Sequence, residues 1–246
     1  MSESKINCLN TPIQNPHNDA KLLKVLSDNE KENAIAYIYL FEDLKNIDEG
    51  FIDENIDRLP PERKERCLRY RNKSDKAACI LAYMLLSKML LEQYNIDTVP
   101  NFTYNEHSKP YLKDTDNLFF SISHTKNAVA VVVTDFEIGL DIETIREVNE
   151  NIIDKVCTEK EKIFLADSCD RVRDFYRLWT MKESYTKAYG RTVADVLKKD
   201  LEFKDFAFYS TDEFYLNVYC GRYLEKHSNI VNRLTPENIN MFTIIE

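Results

Sequence analysis

Glycine is scarce in this chain, with 4 residues in 246. Together with 43% hydrophobic and 30% charged residues, that excludes a fibrous or low-complexity chain and leaves an ordinary globular composition. At roughly 100–200 residues per domain, the length allows one large domain or two small ones, with a sizeable core. Long apolar runs are missing too. The longest, over residues 79–86, falls far short of the ~20 residues a membrane helix needs. The opening Met-Ser-Glu-Ser-Lys carries no apolar signal region. No CxxC pair occurs, and no cysteine stands near a histidine at zinc-ligand spacing. Cys8, Cys67, Cys79, Cys157, Cys169 and Cys220 therefore read as reduced thiols of a cytoplasmic protein. An excess of positive charge is also absent: the formal net charge is −9, which argues against a general nucleic-acid binder.

What positive charge there is clusters. Arg58, Arg63, Lys64, Arg66, Arg69, Arg71, Lys73 and Lys76 are opposed only by Glu62, Glu65 and Asp75, so 8 − 3 leaves this stretch at about +5. Such a patch in an acidic protein suits a small anionic ligand, and it equally suits a solvated helix face.

Residues 1–33 read as a polar, irregular leader with prolines at 12 and 16 and a short helix around 21–26. Residues 34–41, rich in β-branched and aromatic side chains, read as a buried strand. Pro60-Pro61 opens a helix with Glu62 in its first turn. Residues 73–93 carry apolar positions at helical spacing. Strands are expected over 101–104, 119–123 and 128–135, the last nearly continuous valine and so central to a sheet. A short extended segment follows at 139–143. The second part repeats the order, with helices over 149–156, 158–166 and 172–189, the last stopped by Gly190, and strands near 201–209, 213–219 and 241–245. Helices followed by antiparallel strands, twice over, predict an α+β fold of two similar halves, 34–137 and 138–246.

Four constellations could carry chemistry. In an extended Gly139-Leu140-Asp141-Ile142-Glu143, the i and i+2 carboxylates project to one side while Leu140 and Ile142 face the core. Paired carboxylates repel unless a cation sits between them, and oxygen-only donors select a hard ion such as Mg²⁺; an exposed acidic strand end is the plainer alternative. In Trp179-Thr180-Met181-Lys182-Glu183-Ser184-Tyr185-Thr186-Lys187, Glu183 and Lys187 share a helix face as potential metal ligand and phosphate clamp, or as an ordinary surface ion pair. Ser123 and His124 end a strand. Adjacent strand residues point oppositely, so phosphate contact suits them better than a nucleophile–base dyad. Ser108-Lys109-Pro110-Tyr111 is a turn that presents a lysine just before a strand.

The series SKPY, FSISH, GLDIE and WTMKESYTKAYG, in this order and spacing, resembles that of the Sfp-type 4′-phosphopantetheinyl transferases over residues 35–190. The resemblance implies a fold of two pseudo-symmetric α+β halves, each with helices packed on a small antiparallel sheet and the active site at their interface. It implies that Asp141, Glu143 and Glu183 bind magnesium and that Lys187 contacts phosphate. Ser123, His124 and Lys109 would contact coenzyme A, with Arg66 and Arg69 near its adenosine 3′-phosphate. Glu161 matches a glutamate in the helix after the metal strand. Ser108 replaces the usual glycine of its motif. Ala78 and Cys79 stand where many relatives carry arginine and a small hydroxyl residue, which shifts the grip on the 3′-phosphate toward Arg66, Arg69 or Lys76.

The implied reaction transfers 4′-phosphopantetheine from coenzyme A to a serine of an apo acyl or peptidyl carrier protein, releasing 3′,5′-ADP. The base is open between Glu183, Glu161 and a metal-bound water, with Lys187 stabilising the leaving group. The expected partners are coenzyme A and a carrier, with neither nucleic acid nor membrane, and the expected state is a monomer. Arg191, Lys198 and Lys199 are candidate carrier contacts. A hydrolase acting on coenzyme A and a non-catalytic coenzyme A- or carrier-binding protein remain the rival readings.

Overall fold

A computed structural model of the chain describes residues 36–113, 115, 117–219 and 231–234. It is an α+β arrangement in which helices pack on small, mainly antiparallel sheets. The expected segments at 21–26 and 241–245 lie outside the described residues.

Strand β1, Tyr37–Glu42, forms where residues 34–41 were expected to be extended. It is followed by helix α1, Glu49–Ile56, which the acidic, weakly patterned sequence did not announce; Asp48 caps it by accepting from the Phe51 N–H at 2.8 Å. Helix α2, Pro61–Arg69, starts at the proline pair, and α3, Lys73–Tyr94, is the long apolar helix. Strands β2 (Phe102–Tyr104) and β3 (Pro110–Leu112) make a hairpin. Next come β4 (Phe119–His124), β5 (Ala128–Thr134) and β6 (Gly139–Thr144). Helices α4 (Glu150–Val156), α5 (Glu159–Ala166) and α6 (Arg171–Tyr189) precede β7 (Phe206–Ser210) and β8 (Phe214–Tyr219). The last described strand is β9, Val231–Leu234.

The first sheet has the order β4-β5-β1-β9, and its valine strand β5 is central and buried throughout. One face of β1 and β5 packs on α3, whose residues Ile80, Leu81, Tyr83 and Leu85 are fully buried. The opposite face, with Ile38, Leu40, Ala130 and Val132, shares a core with Leu140 and Ile142 of β6 and Leu216 of β8. Strand β9 runs parallel to β1, so the chain returns to the first sheet after building the second. Nothing in the local pattern of 231–234 signalled that long-range pairing.

The second sheet has the order β6-β8-β7 and is covered by α6. Gly139, the first residue of β6, explains how closely strand and helix approach. A Cβ there would overlap the Ser184 carbonyl oxygen and lie 2.9 Å from its carbon. At the far end of α6, Gly190 takes φ 57° as the left-handed stop. Among the described residues, no helix is long and apolar enough to cross a membrane.

Candidate active site

The alternation expected of β6 is realised: Leu140 and Ile142 are buried in the core, while Asp141 and Glu143 point toward α6. On that helix Trp179, Glu183 and Lys187 recur every fourth residue and form one stripe. The stripe reads the strand at both ends. Lys187 Nζ donates to Asp141 Oδ1 at 2.6 Å, and Trp179 Nε1 donates to Glu143 Oε1 at 3.1 Å. Glu183 lies one turn from each donor.

The first sheet contributes through β4. Ser123 Oγ donates to Asp141 Oδ1 at 2.9 Å and accepts from Lys187 Nζ at 2.9 Å. Two residues earlier, Ser121 Oγ accepts from the Leu140 N–H at 2.9 Å, which stitches β4 to β6 and fixes their register at the site. His124, at the end of β4, is exposed by area. The surrounding protein, then Lys187 and Arg66, hold its pKa below the usual histidine value, against the pull of Asp75 and Asp141.

The carboxylates are under electrostatic stress. Burial, then Asp141 and Glu143, push Glu183 up to about 7 despite Lys187. Glu143 is raised by burial and by Asp141. Asp141 is 3% exposed, and its Oδ2 is buried without a hydrogen-bond partner. An orphaned buried carboxylate oxygen beside two raised carboxyls is a donor set that fits a hard divalent cation. Among the described residues, no three acidic, histidine or cysteine side chains are already closed around one point. The ammonium of Lys187 neutralises Asp141 instead.

The other expected residues divide. Arg66 is exposed and lies near Tyr70, Cys79 and Tyr104. Arg69 faces solvent and pairs with Glu65 at 2.6 Å, one helical turn back. Lys76, early in α3, lies near Cys67. Lys109 is turned away from the carboxylates: its Nζ donates to the Ala188 carbonyl near the end of α6. Glu161 is likewise elsewhere. It closes a capping box with Thr158 at the start of α5 and pairs with Lys182 Nζ at 2.9 Å. Lys182 is fully buried and also donates to the Leu197 and Lys199 carbonyls. Lys198 Nζ caps α4 through the Asp154 and Cys157 carbonyls, and Arg191 lies over the Tyr189 ring.

One cation escaped the sequence reading. Arg63 is 6% exposed, its Nε has no partner, and its guanidinium lies 5.2 Å from the Phe102 ring centre, beside Cys79. Its signal was present in the basic segment, where it falls one turn before Arg66 on α2. The neighbouring Cys67, and then the charges of Arg63 and Arg66, draw the Cys79 thiol below its usual range, while the Cys67 Sγ itself donates to the Lys76 carbonyl at 3.6 Å.

The sequence profile of the 4′-phosphopantetheinyl transferase superfamily matches residues 137–236. The chain is 34% identical over 148 residues to the 4′-phosphopantetheinyl transferase gsp of Aneurinibacillus migulanus, covering 58% of this chain and 59% of that protein. It is 31% identical over 152 residues to the transferase ffp of Bacillus subtilis, covering 59% and 68%. To Sfp of Bacillus subtilis (strain 168) it is 30% identical over 136 residues, covering 54% and 61%. The match thus spans about three-fifths to two-thirds of these relatives' lengths. By these matches the chain belongs to the Sfp-type 4′-phosphopantetheinyl transferase family.

Proposed function

We propose that this protein transfers the 4′-phosphopantetheine arm of coenzyme A to a serine hydroxyl of an apo carrier protein and releases 3′,5′-ADP. The observation that carries the proposal is the juxtaposition of Lys187, Ser123 and an orphaned Asp141 oxygen, with Glu143 and Glu183 alongside. Two α+β halves related by pseudo-symmetry, with the reaction between them, fit the way β4 of the first sheet and β6 and α6 of the second share these residues.

Asp141, Glu143 and Glu183 would hold Mg²⁺. When bound, that ion neutralises pyrophosphate charge and aligns an in-line displacement. The chain's own groups do the rest. Lys187 offers its ammonium to a phosphate oxygen and steadies negative charge on the departing 3′,5′-ADP. Ser123, fixed through Asp141, and His124, at the same strand end, face the same anion. Arg66 and Arg63 supply positive charge for the 3′-phosphate. The incoming serine Oγ bonds to the phosphorus of the pantetheine side, the bond to the ADP oxygen breaks, and the serine proton must leave. Glu183 is the carboxylate best placed to accept it, because Glu161 is engaged by Lys182 and Thr158.

Incubation with purified apo acyl and peptidyl carriers, coenzyme A and Mg²⁺, read by intact mass, tests the proposal. One phosphopantetheine adduct on a carrier is expected, with none for Asp141→Ala. Release of 3′,5′-ADP without any carrier would instead identify a hydrolase.

A further inference from the structure

Trp179 is the only tryptophan in the chain and reads at first as a core anchor of α6. It packs against the cluster formed by Ile153, Val156, Leu165 and Leu178. Packing does not explain its polar edge. The indole N–H donates to Glu143 Oε1 at 3.1 Å, across from helix to strand.

That bond has a counterpart. At the other end of the stripe Lys187 donates to Asp141, so each strand carboxylate is met by one donor from α6, and Glu183 stands between them. The two donors are chemically unequal. Lys187 brings a full charge, which competes with any cation that binds Asp141. Trp179 brings a neutral N–H with no acceptor capacity. It fixes one Glu143 oxygen without opposing positive charge nearby, and it leaves Oε2 free to turn toward Asp141 and Glu183. A flexible glutamate carries substantial side-chain entropy that is lost on immobilisation. An indole anchored in a packed cluster pre-orders it.

We infer that Trp179 is a positioning residue: its indole N–H holds the Glu143 carboxylate in the orientation that binds a divalent cation together with Asp141 and Glu183. The inference rests on the magnesium site of the proposed function. It also makes Trp179 a built-in optical probe, because any cation held by Glu143 lies one hydrogen-bonded carboxylate away from the indole.

Two measurements test it, neither dependent on turnover. In the first, Tb³⁺ is added to metal-free wild-type protein and indole is excited at the red edge of its absorption, where the 14 tyrosines contribute little. Sensitised Tb³⁺ emission that Mg²⁺ displaces is expected. In the second, Mg²⁺ is titrated calorimetrically into wild type and Trp179→Phe, with coenzyme A and no carrier. Partners of metal ligands typically contribute 10–100-fold in affinity, so Trp179→Phe should bind Mg²⁺ about 10-fold more weakly. Unchanged Mg²⁺ affinity in a folded Trp179→Phe overturns the inference. Absence of sensitised emission from the wild type overturns it even if the variant does not fold. If Trp179→Phe is neutral while Asp141→Ala abolishes transfer, only the positioning role fails. If Asp141→Ala transfers normally, the magnesium site itself is wrong.

Discussion

Gly139 lies against the backbone of Ser184 so closely that no side chain fits between them; even a methyl group would overlap the Ser184 carbonyl oxygen and crowd the Ala188 N–H. Both obstructing atoms belong to helix backbone, which cannot swing aside as a flexible side chain can. Gly139→Ala must therefore push β6 away from α6 just where Asp141 meets Lys187. The expected cost is about 3 kcal/mol of stability. Transfer should be largely lost even at temperatures where circular dichroism shows a folded protein. A near-native urea midpoint for Gly139→Ala would contradict the packing described.

Glu183 is held against its own electrostatics. Burial and the neighbouring Asp141 and Glu143 disfavour its charged form. Glu183→Gln keeps the shape and removes the repulsion, so the EDTA-treated variant should melt above the EDTA-treated wild type. Its transfer rate should fall about 100-fold or more, the loss that corresponds to about 3 kcal/mol of transition-state stabilisation. Calorimetric melting and carrier mass, measured on the same preparation, check both halves. A variant that loses activity and stability together would mean that Glu183 is a structural residue.

The carboxylates were legible because their geometry is local. Period-two alternation alone aims Asp141 and Glu143 away from Leu140 and Ile142, and a spacing of four puts Glu183 and Lys187 on one face. What was not legible depended on contacts between distant segments. Nothing near Glu161 reveals that Lys182 will be buried against it, since that meeting needs α5 folded back on α6 and the Leu197 and Lys199 carbonyls brought in. Lys109 was read by its turn motif, whereas its ammonium ends on the Ala188 carbonyl, 79 residues away in sequence. Arg63 was hidden among eight cations, and only burial separates it from its solvated neighbours. The pairing of β9 with β1 likewise joins the two ends of the described chain.

Ser108 takes φ 63°, the left-handed conformation that glycine adopts readily. The serine that replaces glycine in the lysine turn thus adopts a strained backbone. Left-handed geometry costs an L-residue about 1–2 kcal/mol, partly offset because glycine loses more freedom on folding. Ser108→Gly should gain about 0.5–1 kcal/mol and raise the melting temperature by about 2–4 °C. Carrier transfer should stay at the wild-type rate. A lower melting temperature would show that the serine side chain contributes more than its backbone strain removes.

Lys109 gives the clearest dependence of stability on pH. Burial lowers its pKa to about 8, opposed only by Glu137, although its ammonium donates to the Ala188 carbonyl near the negative end of the α6 dipole. Unfolded lysine titrates near ~10.4. Between those values the unfolded chain binds more protons than the folded one, so this group makes stability rise with pH. Below pH ~8 both states carry the charge, and the cost of burying it is fully present. Lys109→Met removes the titration and keeps most of the side-chain bulk. Urea midpoints at pH 7.5 and 9.5 should show the wild type improving relative to Lys109→Met across that interval. Measurement should stop short of pH ~10, where buried Tyr39, Tyr83 and Tyr94, all raised by desolvation, begin to act in the opposite direction. Parallel midpoints for the two proteins would mean that the Lys109 ammonium is better solvated than its position under α6 implies.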